Sequence, residues 1–228
     1  MIFTTVPLAI INLFILITLF TYYWLVKQLH ASKRIATLVA IWLVLQAILG
    51  QTGFYEVNNT TPPRFILMVM PPMLFIIILF NTKKGKAYID SLNIEKLTLL
   101  HIVRIPVEMV LFALFTVKLV PQLMTFEGAN FDIFSGLSAM LVYFLMLNKD
   151  KATKKMLIIW NVVCLILLLV IVAIAILSAQ TPFQQLAFEQ PNIGVLYFPF
   201  NWLPSFIVPV VLFGHMAALR KLLFQHLN

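Results

Sequence analysis

A chain of 228 residues that is 62% hydrophobic and only 11% charged cannot cover a water-soluble globule of its size with polar surface. Soluble domains usually have about 45–50% apolar and about 25% charged residues. The net charge of +8 does not point to nucleic acid, because the basic residues form short clusters between apolar runs rather than a face with stacking aromatics.

The first apolar run, 4–26, starts MIFTTVPLAI and ends at YYWLVKQL. A cleaved signal needs a basic region before its apolar stretch and small residues at the cut. Neither is present, so a retained span is expected, with Tyr22, Tyr23 and Trp24 as interfacial anchors. A crossing helix needs about 20 apolar residues, and six further runs approach this length: 35–55, 64–81, 97–120, 132–148, 157–179 and 199–219. The third and fifth runs are the shortest.

The connections sort by charge. Lys27, Lys33 and Arg34 lie in the first, Lys83, Lys84, Lys86 and Lys96 in the third, Lys149, Lys151, Lys154 and Lys155 in the fifth, and Arg220 and Lys221 in the tail. Together they hold 13 of the 16 basic residues. The other side has Arg64 and Lys118 with Glu56, Glu127, Asp132 and Glu189. The positive-inside rule then predicts an N-terminus outside and a C-terminus in the cytoplasm, with the basic loops drawn to anionic lipid headgroups. Asn58 and Asn59, in NNTT, match glycosylation acceptors and are read as chance, unless the source is eukaryotic.

The third run carries a Pro71–Pro72 pair. The fourth contains HIVRIPVEMV, 101–110. At about 100° per residue, His101, Arg104 and Glu108 share one face. A charge at bilayer depth costs about 2.5–3.5 kcal/mol on insertion scales, so such groups face the protein interior and pair there. Arg104 and Glu108 are expected to pair along the helix. Arg has five donors, which implies a further partner: another helix, a water or a ligand. Pro106 frees the carbonyl of Ile102 one turn back, near Arg104.

The stretch TFEGANFDIFSG, 125–136, opens the fifth span. Glu127, Asn130 and Asp132 form an acidic and polar cluster on the outer face. Asn130 or Asp132 is expected to cap the helix, and a cation site or a contact to Arg64 or Arg104 stays open. In the sixth span Asn161 lies near the inner end, and Cys164 is read as a small buried hydrophobe. The following loop, 181–199, is read as an aromatic surface anchor or as a lid over an outward cavity. The seventh span has Pro199, Pro204 and Pro209, so it is bent or broken, with Asn201 and Ser205 beside the gaps. His215 lies near its inner end, and with His101, Arg104 and Asn161 it is expected to form an inner polar layer. Prolines in both the third and seventh spans fit a three-plus-one-plus-three repeat, although direct similarity between the halves is faint.

No GxSxG, HExxH, P-loop or CxxC motif is present. A retinal pigment needs a Schiff-base lysine in the last span, and 199–219 has none. Intramembrane zinc hydrolases need several histidines, and only His101 and His215 lie within spans, with His30 and His226 in polar segments. No cofactor or metal is expected, although a two-histidine site completed by Glu108 is conceivable. The sequence therefore predicts one all-α domain, 1–228, with seven spans, in a bacterial cytoplasmic membrane. Its expected function is small-solute or ion transport, or ligand sensing, with His101, Arg104, Glu108, Asn161, Asn201 and His215 binding a small molecule or relaying protons. The alternatives are an intramembrane enzyme acting on a lipid or prenyl substrate, and a non-catalytic subunit of a membrane assembly.

Overall fold

The computed structural model describes residues 6–57, 62–147 and 152–224. The acceptor motif at Asn58 and Asn59, the loop lysines Lys149 and Lys151, and His226 lie outside the described residues. Among the described residues the structure is helical, with no strand. The helices are α1 (Leu8–Lys27), α2 (Lys33–Gln51), α3 (Ile66–Asn81), α4 (Lys83–Ser91), α5 (Ile94–Leu100), α6 (Arg104–Thr116), α7 (Ile133–Leu147), α8 (Lys154–Leu177) and α9 (Val208–Phe224).

Helix forms in each of the seven expected stretches, but among the described residues five helical segments are long and apolar enough to cross a membrane: α1, α2, the joined α5–α6, α8, and α9 with its preceding turn. A sixth follows if α3 and α4, bent by 89° to each other, count as one. The expected fifth span is the shorter apolar helix α7. The bend between α3 and α4 falls at Thr82, whose hydroxyl caps α4 by accepting from the Gly85 N–H at 3.2 Å. α4 then turns its lysines outward and buries Ile89.

The surface is inverted relative to that of a soluble protein. Leu38, Ile41 and Val44 on α2 are exposed, as are Ile77 and Ile78 on α3 and Val163, Ile166 and Leu169 on α8. The buried set includes His101, Arg104, Glu108, Asp132, Asn161 and His215. Water penalises such apolar bands and hydrocarbon does not, which points to membrane association.

Side-chain bonds fasten both ends of the bundle. At the lysine-rich end the Trp24 indole donates to the Lys96 carbonyl at 3.1 Å, and the Tyr88 hydroxyl to that of Leu29 at 2.8 Å. There Arg220 grips Asp90 with two bonds of 3.0 and 2.9 Å. At the opposite end the loop after α8 is stitched to the exit of α6. Ile193 and Gly194 N–H groups donate to the Leu119 carbonyl, and the Gln190 amide to those of Phe115 and Val120. This half of the loop caps the bundle, as the lid reading requires, while Phe183 and Phe188 stay exposed, as the anchor reading requires.

Two irregular turns reflect proline chemistry. His101–Val103 forms a 3-10 turn between α5 and α6, tightened just where Pro106 prevents the Ile102 carbonyl from taking its usual partner. Leu203–Ile207 forms a π-turn that runs into α9. Pro209 has no N–H for the Ser205 carbonyl, and the Trp42 indole of α2 donates to it instead, at 2.9 Å.

Candidate functional site

The polar residues of the spans divide into three groups. The first centres on Arg104, at the start of α6. Its Nη1 meets Asp132 Oδ1 at 3.0 Å and reaches the Cys164 carbonyl at 3.5 Å. The expected pairing of Arg104 with Glu108 is not what forms. Asp132, brought in from α7, takes the guanidinium, and Glu108 turns to Asn130. The single Asn130 Nδ2 donates to both Glu108 oxygens at 2.7 Å and also to the Met124 carbonyl at 3.0 Å. Asn130 Oδ1 accepts the Asp132 N–H at 3.0 Å, which closes an Asx turn ahead of α7. Ser135 supplies a weaker hydroxyl bond to Asp132, at 3.4 Å.

This group requires α7 to lie almost on the backbone of α6. Gly136 permits it, because a Cβ there would fall 2.7 Å from Ile105 Cγ1. Asn130 and Asp132 part from Glu127. They fold inward and are 1% and 5% exposed, whereas Glu127 stays exposed, apart from them. Arg64 does not join the acids either; it bonds to the Phe54 carbonyl at 3.3 Å and lies over the Phe54 ring.

The second group is His101, His215 and Asn161. The two imidazoles stack with centroids 3.7 Å apart and planes 14° apart. His215 Nδ1 lies 2.9 Å from Asn161 Oδ1, and the Asn161 amide donates to the Leu157 carbonyl one turn back. Trp160 packs against both rings, and its indole donates to Ser138 at 2.9 Å. Gly214 makes room, since a Cβ there would lie 3.3 Å from the His101 ring. His101, Asn161 and His215 therefore come together, and Arg104 belongs to the neighbouring group. Among the described residues no three His, Cys, Asp or Glu side chains gather as a metal-binding group.

The third group is at the junction of α2 and the π-turn. Asn201 Nδ2 donates to the Gln46 carbonyl at 2.5 Å, the Ser205 hydroxyl to the Asn201 carbonyl at 2.7 Å, and the Tyr55 hydroxyl to Gln46 Oε1 at 2.7 Å. Asn201 thus fastens α2 to α9 and does not join Glu108.

Two cavities lie against these groups. A larger one, of about 200 Å³, runs between α2, α3 and α9 past Trp42, Pro71, Pro72 and Pro209, and its wall is apolar apart from Ser205 and Tyr88. The second, of about 120 Å³, is walled mostly by apolar side chains of α3, α6, α8 and the π-turn, together with Glu108, Asp132 and Asn192. Neither wall includes Arg104, His101 or His215.

Several participants were not predicted from the sequence. Ser135, Ser138 and Trp160 had a faint signal, as polar or hydrogen-bonding groups in apolar helices. Gln46 had one as a lone amide within a span. Asn192 had none, because a loop asparagine is unremarkable until the loop folds over the bundle.

Fold and site together define an all-helical protein with five membrane-length apolar helices and a buried ionic cluster beside an apolar cavity. The chain belongs to the family described as a domain of unknown function (DUF8737), whose model matches residues 56–223, from just before α3 to the end of α9. No curated protein and no solved structure matches the chain.

Proposed function

We propose that the protein is an integral membrane transporter for a small solute or ion, or a sensor built on the same kind of pocket. The observation that carries this reading is the cavity of about 120 Å³ that reaches Glu108 and Asp132 inside the bundle. An ion cluster that served only to lock helices together would be sealed, because each void beside it forfeits packing. Here the carboxylates are left with space beside them.

In this reading all seven helical stretches cross a bacterial cytoplasmic membrane, with the N-terminus outside and the C-terminus inside. α3 and α7, about 22–24 Å long at about 1.5 Å per residue, span a locally thinned bilayer. The lysines of α4, with Lys33 and Arg34 at the start of α2, lie on anionic headgroups, each contributing about 1 kcal/mol. The cavity then faces the outer half of the membrane, since Asn192 in its wall belongs to the loop beyond α8.

Access to the cavity tests the reading. Leu111 lines it, one turn along α6 from Glu108. A Leu111→Cys variant in a Cys164→Ala background, purified as the full chain, is expected to react with a small neutral thiol reagent while still folded. Absence of labelling, in protein that keeps its melting transition, would reduce the cluster to a structural lock.

A further inference from the structure

The groups that Glu108, Asp132 and Asn192 present to the cavity are all acceptors. Asp132 is balanced by Arg104, 3.0 Å away. Among the described residues Glu108 is not balanced by any cation at contact distance. Its two oxygens share one neutral amide nitrogen, that of Asn130, which also serves the Met124 carbonyl. A carboxylate has about four lone-pair sites, so about half of its capacity is unused. A buried carboxylate held in this way is costly unless a proton, a cation or further donors complete it.

Asn192 supplies an independent sign. Its Nδ2 donates to the Ala175 carbonyl at 3.1 Å, which fixes the amide orientation. Its Oδ1 is then buried and without a partner, on a residue that is 2% exposed and lines the same cavity. Leu111, Leu168, Ile171 and Val172 form apolar wall beside these acceptors. Arg104 is not in the wall, so an anion entering the cavity meets carboxylates and a carbonyl-type oxygen before any donor.

We infer that the cavity binds a small organic ammonium ion, its N–H groups on Glu108 and Asn192 and its carbon body on the apolar wall. This rests on the pocket reading above. At about 120 Å³ the cavity is smaller than the roughly 300–1,000 Å³ of a drug-sized ligand site, so the guest is small.

Charge-selective labelling of the full-length Leu111→Cys, Cys164→Ala protein tests it. The cationic aminoethyl methanethiosulfonate is compared with the anionic sulfonatoethyl reagent, each normalised to its rate at an exposed Gln185→Cys. The cationic reagent is expected to react at least about tenfold faster, the factor that about 1.4 kcal/mol supplies. Adding Glu108→Gln should erase that preference, and propylammonium should protect the thiol where propionate does not. Ala179→Cys, a small wall residue, serves if Leu111→Cys does not fold. Equal rates, a faster anionic reagent, or protection by propionate overturns the inference while leaving the pocket reading standing. No reaction even with the neutral reagent overturns both.

Discussion

His101 and Arg104 lie three residues apart on one span, both buried, yet the groups around them differ in construction. The histidine layer is closed: ring on ring, Trp160 against the pair, and Gly214 allowing that contact. The arginine group is closed on the side of α7 and open on the side of Glu108, where a cavity begins. Burial and polarity are common to both, so they cannot mark a working site by themselves. Each also holds buried polar atoms without a partner, His101 Nδ1 and His215 Nε2 in one and Arg104 Nε and Nη2 in the other; what separates the two groups is that a cavity wall includes Glu108 and neither histidine.

The strongest way to break that comparison is to remove a charge. Asp132→Ala leaves the Arg104 guanidinium without its ion-pair partner in a buried position. Removing one member of such a pair typically costs about 3–5 kcal/mol. The variant is expected to lose most folded protein or to melt far earlier in detergent. A melting point near that of the wild type would mean that Arg104 is solvated, and the first group would then be open on both sides.

A smaller effect is expected in the histidine layer. His215→Leu strands Asn161 Oδ1, at about 1–3 kcal/mol, and Asn161→Leu added to it should restore much of the loss, because apolar groups then replace both partners. Thiol labelling at Leu111→Cys should be unchanged in the double variant. A change in labelling would couple the two groups and dissolve the distinction between a closed layer and an open one.

Smaller still is Tyr55, at the loop end of α2. Burial raises its phenol above the ordinary value of 10.0. A raised tyrosine pKa favours the neutral folded state, so its stabilisation is complete below about pH 10 and fades as pH climbs through the raised value. Tyr55→Phe should cost about 1 kcal/mol at neutral pH and flatten that alkaline loss in a pH series of melts. Glu127→Ala, the exposed acid left outside the cluster, should move stability by less than about 0.5 kcal/mol.

Much of the site was legible in the sequence because ionisable residues in apolar runs are rare and cannot face lipid. That argument located His101, Arg104, Glu108, Asn161 and His215, and all five are buried. It could not choose their partners. Arg104 met Asp132 instead of Glu108 because α7 approaches α6 at Gly136, and nothing local to either segment encodes that approach. Asn130 and Asp132 read as helix caps, and Asn130 does hold the turn before α7, but the same turn carries Asp132 into the core. Asn201 read as a gap filler beside the prolines and proved to tie α2 to α9.

From the sequence alone came the all-helical class, the apolar stretches, the separation of charge between their connections, and the inward face of the fourth span. These depend on hydropathy, periodicity and the cost of a charge in hydrocarbon, all of which act within one segment. The tertiary structure alone decided which carboxylate pairs with Arg104, that α3 and α7 fall short of membrane length, that Asn192 closes over the cavity, and that space remains beside Glu108. Those outcomes depend on how closely separate helices approach. Packing distance belongs to pairs of surfaces, and no single stretch of chain contains it.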